Sequence, residues 1–354
     1  MIWPKFKNWF GERYDIAEMK KLAKSKLVPR HRYDFLYYTG GTTLFLFILQ
    51  FITGMVLTFY YIPHVDYAYE SIIEIVTKIN LGWFFRSFHH WGAQLCIVFV
   101  FIHLFGTLLV KAYRKPREII WVTGFFLLVI SIFFGFSGYL MLWDERAFAA
   151  VRVATGGAGN LPVVGSFIKI FLRGGTDVTG ETLIRFYAFH VAILPVLSLL
   201  LIGVHVLLVQ YHGMSVPVFV ENKQKAGEPF FPNVFYKDMM IWLMVLGVVA
   251  TLAVFLPPEI GNKANSLAPP PEGIKPEWYF LFMMETLELF PGTIYCFNGE
   301  TIAIICVTIG IIFFFLIPFL DRKSNRGEKN PLFTIIALIY LIYFVAMTII
   351  GFST

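Results

Sequence analysis

The stretch RSFHHWGAQLCIVFVFIH, residues 86–103, carries His89 and His103 fourteen positions apart in an almost wholly apolar run. A second stretch, RFYAFHVAILPVLSLLLIGVH at 185–205, carries His190 and His205 fifteen positions apart. A helix turns about 100° and rises about 1.5 Å per residue, so each pair returns to nearly one face, about 21 Å apart along the axis. Histidines inside membrane segments are rare and mark function. The pattern therefore predicts two membrane helices that each present two ligands to a common partner.

The composition is that of a membrane protein. Hydrophobic residues make up 57% of the 354 residues and charged residues only 15%, where a soluble domain has about 25%. Seven stretches are long enough to cross about 30 Å of hydrocarbon. They are residues 36–61, 84–110, 118–142, 184–210, 238–256, 300–320 and 332–352. We predict an all-α fold: a polytopic transmembrane helix bundle with seven spans.

Positive charge is distributed unevenly between the loops. Of the 29 lysines and arginines, 20 lie in residues 1–35, 111–117, 211–238 and 321–331, which fall on one side of a seven-span protein. By the positive-inside rule that side, with the N-terminus, is cytoplasmic. The net charge of +6 then reports topology, and nothing in the chain points to nucleic acid.

Three regions follow from this pattern. Residues 1–35 are basic and carry apolar residues at helical spacing around 16–23, which predicts an amphipathic helix on the cytoplasmic membrane surface. Residues 36–212 form a four-helix part that contains all four histidines, with short surface helices expected in the outside loop 143–183. Residues 213–354 form a three-helix part whose outside loop ends in an apolar, interfacial segment.

The four histidines predict two haem sites. The second and fourth spans run in the same direction, so His89 meets His190 near the outer face and His103 meets His205 near the inner face. Each pair would ligate one iron from both sides, which leaves no open position and indicates electron transfer. The alternative is that buried histidines pack and hydrogen-bond within the bundle. The neighbouring His90 faces elsewhere, and we interpret it as a packing residue or a partner in an interfacial hydrogen bond.

Small and basic residues accompany the histidines. Two glycine pairs have the same fourteen-residue interval as His89 and His103. This spacing predicts that the glycines leave room for the flat edges of two haems. The alternative is that they serve ordinary small-residue packing between helices. These glycines are Gly40, Gly54, Gly124 and Gly138. Arg86 and Arg185 precede histidines near the outer boundary and are expected to pair with haem propionates, unless they only extend their charges to water.

The loop before the sixth span contains Pro276-Glu277-Trp278-Tyr279. A carboxylate surrounded by aromatic rings is pushed toward its neutral form. Glu277 is therefore a candidate to take a proton from a quinol hydroxyl and carry it outwards. On its own the tetrapeptide is also compatible with a capped helix start.

Several motifs together resemble cytochrome b of the cytochrome bc complexes. They are RSFHHWGA at 86–93, KPREIIWVTG at 115–124, FGFSGYLMLWD at 134–144, LPVVGS at 161–166, RFYAFH at 185–190 and IKPEWY at 274–279. The seven spans and the fifteen-residue interval resemble the cytochrome bf type. There the protein is split into two subunits, whereas here both parts are fused, which favours a bacterial or archaeal cytoplasmic membrane.

The resemblance implies the haem-bearing subunit of a quinol:cytochrome c oxidoreductase with two b-type haems. Quinol would bind at Glu277 and Tyr279, with Tyr139, Gly156 and Pro162 lining the pocket. One electron would pass to a Rieske iron–sulfur protein and a c-type cytochrome, the other across the membrane to quinone at the inner face. Protons would leave outside and be taken up inside. The family also implies a homodimeric complex embedded in lipid, and leaves open which quinone is used.

The inner quinone site is expected at Lys237 and Asp238, although these residues are also placed to flank a span. His212 lies seven residues after His205, a turn from the family's usual position, which is held by Gln210. Tyr38 stands where the bf type has a cysteine that tethers an extra haem, so we expect that haem to be absent.

Two other functions stay open at this stage. The first is the di-haem membrane anchor of a quinone-reducing dehydrogenase, although such anchors have four or five spans and lack the PEWY loop. The second is a transporter whose histidines relay protons. It would need polar residues along a pathway, and the last three spans are almost wholly apolar.

Overall fold

The computed structural model describes residues 9, 11, 13, 26–217, 220, 225–266, 269 and 273–353. Seven helices within these residues are long and apolar enough to cross a membrane, and we call them spans 1 to 7. They are Asp34–Thr58, Gly82–Leu109, Glu118–Leu140, Gly180–His212, Phe230–Phe255, Gly299–Asn325 and Pro331–Ser353. Each coincides with one of the predicted stretches. The prediction of a multi-pass helical membrane protein is therefore confirmed, while its orientation stays a prediction.

Some spans are built from more than one helical segment. Span 1 joins a 3₁₀ turn, Asp34–Leu36, to the helix Tyr37–Thr58. Span 5 joins a π turn, Phe230–Val234, to the helix Phe235–Phe255, and span 6 joins Gly299–Leu320 to a short helix, Arg322–Asn325. These junctions lie near the ends of the spans, where the chain leaves the apolar layer.

Four shorter helices lie outside the spans in the described part of the chain. They are α1 (Ala68–Thr77), α2 (Glu145–Gly159), α3 (Gly165–Arg173) and α4 (Trp278–Glu288). The surface helices predicted for the 143–183 loop are thus present as α2 and α3. The expected amphipathic helix around residues 16–23 lies outside the described residues and stays a prediction. Within the predicted segment 1–35, Leu27–Arg30 forms a β-strand.

The described residues form two small antiparallel sheets, of which the first joins segments that are distant in the sequence. β1 (Leu27–Arg30) pairs with β2 (Lys225–Pro229), with Leu27 opposite Pro229. β3 (Thr293–Ile294) and β4 (Phe297–Asn298) form a hairpin directly before span 6. The first sheet joins the segment before span 1 to the segment before span 5.

The spans alternate in direction, so the bundle has two ends. Among the described residues, the N-terminal end holds the start of span 1 and residues 110–117, 213–217, 225–229 and 321–330; the loop end holds residues 59–81, 141–179, 256–266 and 273–298. Span 1 packs along span 2, span 3 along span 4, span 5 against span 2, and α4 against span 7. Much of the remaining apolar surface stays exposed, as expected for helices that face lipid.

Span 4 contains a π turn at the position of its first histidine. The span runs as Gly180–Ala188, the π turn Phe189–Ile193 and then Leu194–His212. A π turn accommodates one extra residue in a helix, and such turns are frequent at functional sites. The extra residue offsets the difference between the fifteen-residue interval of span 4 and the fourteen-residue interval of span 2. In a regular helix a fifteen-residue interval would turn His205 past the face of His190. With the extra residue taken up by the π turn, the two histidines return to one face.

Candidate functional site

The structure brings the predicted histidine pairs together. The rings of His89 and His190 have centres 6.3 Å apart and planes at 79° to each other. His103 and His205 lie near each other as the second pair. The His89/His190 pair lies toward the loop end of the bundle and the other toward the N-terminal end. Spans 2 and 4 therefore each supply one imidazole at each of two levels.

Each of the four imidazoles contacts a hydroxyl group through its Nδ1 atom. The hydroxyls come from span 1 for the histidines of span 2 and from span 3 for those of span 4. The pairs are Thr39 with His103 at 3.0 Å, Thr53 with His89 at 2.8 Å, Thr123 with His205 at 2.8 Å and Ser137 with His190 at 3.0 Å.

The hydroxyl protons are already used within their own helices. Thr123 donates to the carbonyls of Ile119 and Ile120 at 3.0 and 2.9 Å, and the other three hydroxyls donate in the same way to carbonyls three or four residues earlier. The hydroxyl oxygen is therefore left to accept a hydrogen bond from Nδ1–H. A neutral imidazole carries one proton, so Nε2 keeps its lone pair for a ligand bond.

The predicted glycines lie directly against the histidine rings. A Cβ atom built on any of the four has the Cε1 atom of one histidine as its nearest neighbour. The distances are 3.0 Å from Gly40 to His103, 3.2 Å from Gly54 to His89, 3.2 Å from Gly124 to His205 and 2.7 Å from Gly138 to His190. Within the protein the glycines make room for imidazoles; their predicted contact with haem edges stays a prediction.

The two predicted arginines donate to backbone carbonyls. Arg86 is buried and donates to the carbonyl of Pro258 at 2.8 Å. Arg185 donates to the carbonyl of Phe171 at 2.7 Å, next to Gly174. Neither interaction uses all five donors of a guanidinium. The propionate contacts predicted for both arginines stay predictions.

A cavity of about 440 Å³ lies at the loop end beside the PEWY segment. Its walls come from spans 2, 3, 5 and 7 and from residues 275–278, and they include the predicted Tyr139, Pro276, Glu277 and Trp278. Its volume is within the usual range of sites for small molecules, about 300–1,000 Å³. The predicted Gly156, Pro162 and Tyr279 are not among its lining residues. Tyr279 is buried, and its hydroxyl group packs against Gly135 of span 3.

Two further polar residues of span 2 line the same cavity. His90 does so, although we expected it to pack or to form an interfacial hydrogen bond. Gln94 lies one turn later; its Nε2 donates to Glu277 Oε2 at 2.9 Å, and its Oε1 accepts from the indole Nε1 of Trp278 at 2.7 Å. Gln94 was not predicted from the sequence. An amide within an apolar span was the available signal, because such groups are costly in lipid and need a partner.

Burial and this hydrogen bond act on Glu277 in opposite directions. Loss of solvent raises the pKa of the Glu277 carboxyl, while donation from Gln94 lowers it, and the net result is a raised pKa. A carboxylate whose pKa is raised holds a proton more readily and is suited to accept one and pass it on.

The residues predicted for the inner quinone site lie at the N-terminal end. Lys237 donates to both carboxylate oxygens of Glu228, at 2.8 and 2.7 Å. Oδ1 of Asp238 is buried without a hydrogen-bond partner among the described residues and lies close to Gly41 of span 1. His212 ends span 4, and its carbonyl accepts from Arg117 at 3.0 Å. A polar group that reached Asp238 would satisfy its free oxygen.

Comparison with known proteins places the chain in a family. The family "Cytochrome b/b6/petB" matches residues 23–213, and "Cytochrome b(C-terminal)/b6/petD" matches residues 263–354. The chain belongs to the cytochrome b family. Because both parts occur in one polypeptide, it is the fused form of two parts that the family also contains separately.

Individual relatives agree with this assignment. The "Cytochrome bc complex cytochrome b subunit" of Chlorobaculum thiosulfatiphilum is 42% identical over 347 residues, which cover 96% of this chain and 79% of that protein. "Cytochrome b6" of Acaryochloris marina (strain MBIC 11017) is 41% identical over 211 residues, 60% of this chain and 98% of that protein. A chain of the solved "Hyperthermophilic respiratory Complex III" superposes with a TM-score of 0.87 at 31% identity and covers 97% of this chain and 90% of its own length.

The cytochrome b family implies b-type haems, and the residues present fit them. With metal–imidazole bonds of about 2 Å and about 1 Å from each nitrogen to its ring centre, two rings on one metal have centres about 6 Å apart. The 6.3 Å between His89 and His190 agrees. In the part of the chain that the structure describes, no group of three or more His, Cys, Asp or Glu side chains is placed to hold a bare metal ion. Paired imidazoles suit an iron whose other ligands come from a macrocycle.

Proposed function

We propose that the chain is the haem-bearing subunit of a quinol:cytochrome c oxidoreductase. Quinol is oxidised in the cavity at the loop end, which faces outwards, and quinone is reduced at the N-terminal end, which faces the cytoplasm. The partners are a Rieske iron–sulfur protein and a c-type cytochrome in a dimeric complex of a bacterial or archaeal cytoplasmic membrane. The family assignment, the relative from a bc complex and the Complex III neighbour support this proposal.

One observation carries the proposal: two oriented imidazole pairs lie at two levels of one bundle, with a carboxylate-lined cavity at one end. His89 and His190 hold the first haem, and His103 and His205 hold the second. When bound, the haems supply a path for electrons between the two ends of the bundle. Each imidazole is held by a hydroxyl on Nδ1 and by a glycine on its Cε1 side, so its Nε2 atom keeps a fixed direction.

Glu277 performs the proton chemistry at the loop end. Its carboxylate accepts the proton of a quinol hydroxyl and releases it to the outer side, and its position at the start of α4 places it between the cavity and the loop. Tyr139 and Trp278 provide the apolar walls against which a quinol ring packs. Asp238, with its unpaired oxygen, provides the corresponding protonable group at the other end, with His212 and Lys237 as further polar groups there.

The test uses the complex purified from its native membrane. We expect b-type bands in the reduced-minus-oxidised spectrum and quinol-dependent reduction of cytochrome c. Glu277→Gln keeps the bands and lowers the rate about 100-fold or more, because proton transfer by a positioned group contributes about 10²–10⁴. Glu288→Gln, an exposed carboxyl at the end of the same helix, is the control and keeps the rate. Absence of b-type bands, or a Glu277→Gln variant near the normal rate, contradicts the proposal.

The di-haem anchor of a quinone-reducing dehydrogenase is the weaker candidate. It accounts for the histidine pairs but has no use for residues 263–354, which match the C-terminal cytochrome b family and contain Glu277. The fused second part therefore favours quinol oxidation.

A further inference from the structure

Gln94 is the only described residue that donates a hydrogen bond to the side chain of Glu277. It belongs to span 2, while Glu277 and Trp278 start α4, 183 and 184 residues further along the chain. The three side chains form a short series in the cavity wall, from the indole to the amide to the carboxylate.

The direction of this series is fixed by chemistry. An indole N–H is a donor only, so the atom of Gln94 that faces Trp278 is the carbonyl oxygen. The amide nitrogen must then face Glu277, where it has no choice but to donate. Trp278 thus sets which end of the Gln94 amide the carboxylate meets.

Donation from Gln94 has two effects on Glu277. It occupies Oε2 and leaves Oε1 as the oxygen that accepts a proton. It also favours the ionised carboxylate, against the burial that raises the pKa of this group. The other titratable groups that face Glu277 are His90 on span 2, Tyr139 on span 3, Tyr279 on α4 and Lys275 in the preceding loop. The Lys275 ammonium donates to the carbonyl of Phe352.

We propose that Gln94 is a positioning residue for quinol oxidation, which holds Glu277 by Oε2 so that Oε1 receives the quinol proton. In this step the quinol O–H bond breaks and an Oε1–H bond forms. The carboxylate becomes a neutral carboxylic acid and its negative charge passes to the quinol oxygen, from which an electron goes to the Rieske iron–sulfur protein of the proposed complex. The hydrogen bond from Gln94 then weakens, because its acceptor has lost its charge, and this favours onward release of the proton. The inference rests on the proposed function of the cavity.

The experiment is the pH profile of quinol oxidation by the purified complex. Activity needs ionised Glu277, so it falls as the pH drops through the pKa of this group. Gln94→Leu removes the donor at similar volume, and we expect the acid limb to move up by about one pH unit, with an about tenfold lower rate on the acid side and a plateau within about threefold of normal. Trp278→Phe frees the amide to turn and gives a smaller shift in the same direction.

The control is Thr251→Val, which removes a lipid-facing hydroxyl that bonds only within span 5 and leaves the profile unchanged. An unchanged b-type spectrum shows that each variant is folded. An acid limb that stays in place in both Gln94→Leu and Trp278→Phe, whether or not the plateau drops, overturns the proposal. An unmoved acid limb overturns only the role of Gln94. The proposed function still stands in that case if the normal complex oxidises quinol and the Glu277→Gln variant does not.

Discussion

A threonine or serine decides which nitrogen of each paired histidine carries the proton. Thr123 shows the arrangement most fully: its hydroxyl donates to two carbonyls of span 3 and lies 2.8 Å from Nδ1 of His205. The proton then lies on Nδ1 of His205, and the lone pair on Nε2 is directed at the partner histidine, His103 on span 2. Groups that orient a metal ligand in this way change metal affinity or activity about 10- to 100-fold when they are removed.

We therefore predict that Thr123→Val weakens haem binding at the His103/His205 site about 10- to 100-fold, because Nδ1 of His205 loses its acceptor. The measurement is the haem content per protein and the reduced-minus-oxidised spectrum after detergent challenge. The control is Thr42→Val, which removes an equally buried hydroxyl that bonds only to the carbonyl of Tyr38. Equal haem retention by the two variants would show that the hydroxyl has no orienting role.

Much of the candidate site was predictable at the scale of residues, but its supporting groups were not. The four histidines and four glycines follow from matching intervals in the sequence. The hydroxyl residue before each glycine, such as Thr123 before Gly124, was visible as well. The role of this hydroxyl depends on whether its side chain points at an imidazole. The spacing of residues along the sequence does not give that direction. Gln94 escaped for a similar reason, since its partners lie more than 180 residues away.

At the scale of elements, side chains of span 2 donate hydrogen bonds to carbonyl groups at the end of span 5. Pro257 has no N–H, so the carbonyl of Ala253 lacks its usual partner four residues on. The hydroxyl of Ser87 supplies it at 2.8 Å, and both residues are buried. Trp91 likewise donates to the carbonyl of Leu256 at 2.7 Å.

We predict that Ser87→Ala destabilises the protein by about 1–3 kcal/mol, because it leaves a buried carbonyl without a donor. A melting temperature lowered by a few degrees in detergent is the expected observation. Ser131→Ala is the control, since its buried hydroxyl bonds to Leu127 of the same helix, where the backbone donor remains. Melting curves that coincide for the two variants contradict the assignment.

The elements themselves were largely readable from the sequence. Hydropathy predicted the spans, and short surface helices were expected in the outside loop 143–183, where α3 lies. The π turn around His190 was not predicted, because a fifteen-residue interval is equally compatible with a regular helix whose second ligand is rotated. Only the position of the facing span 3, with Gly138 against His190, distinguishes these cases.

At the scale of the whole molecule, polar contacts that no sequence interval could reveal join the four-helix part, residues 36–212, to the three-helix part, residues 213–354. Arg86 meets Pro258 across 172 positions of the chain, and Tyr113 meets Asp321 across 208. The partition into a four-helix and a three-helix part was predictable from the histidines and the resemblance. Which surfaces of the parts meet was not, because spans 5 to 7 lack a polar face that would point to a partner.

The Asp321 cluster is the most buried of these contacts. Its carboxylate is fully buried, accepts from the Tyr113 hydroxyl at 2.9 Å and from Asn330 at 2.6 Å, and lies 3.8 Å from the ammonium of Lys111. Lys111 also donates to the carbonyl of Asn330. Removing one member of such a buried pair costs about 3–5 kcal/mol, since the other charge is left without compensation.

This cluster predicts how the chain behaves when it is divided. Fragments 1–217 and 225–354, produced together, should associate and keep the b-type spectrum, because cytochrome b6 matches only 60% of the chain while covering 98% of its own length. Asp321→Ala in the second fragment should weaken co-purification through a tag on the first by about 100-fold or more, as a loss of about 3–5 kcal/mol implies. Glu328→Gln, which breaks an exposed pair with Arg326 in the same loop, should leave co-purification unchanged. Equal recovery of both variants would mean that the apolar contacts of spans 2 and 5 alone hold the parts together.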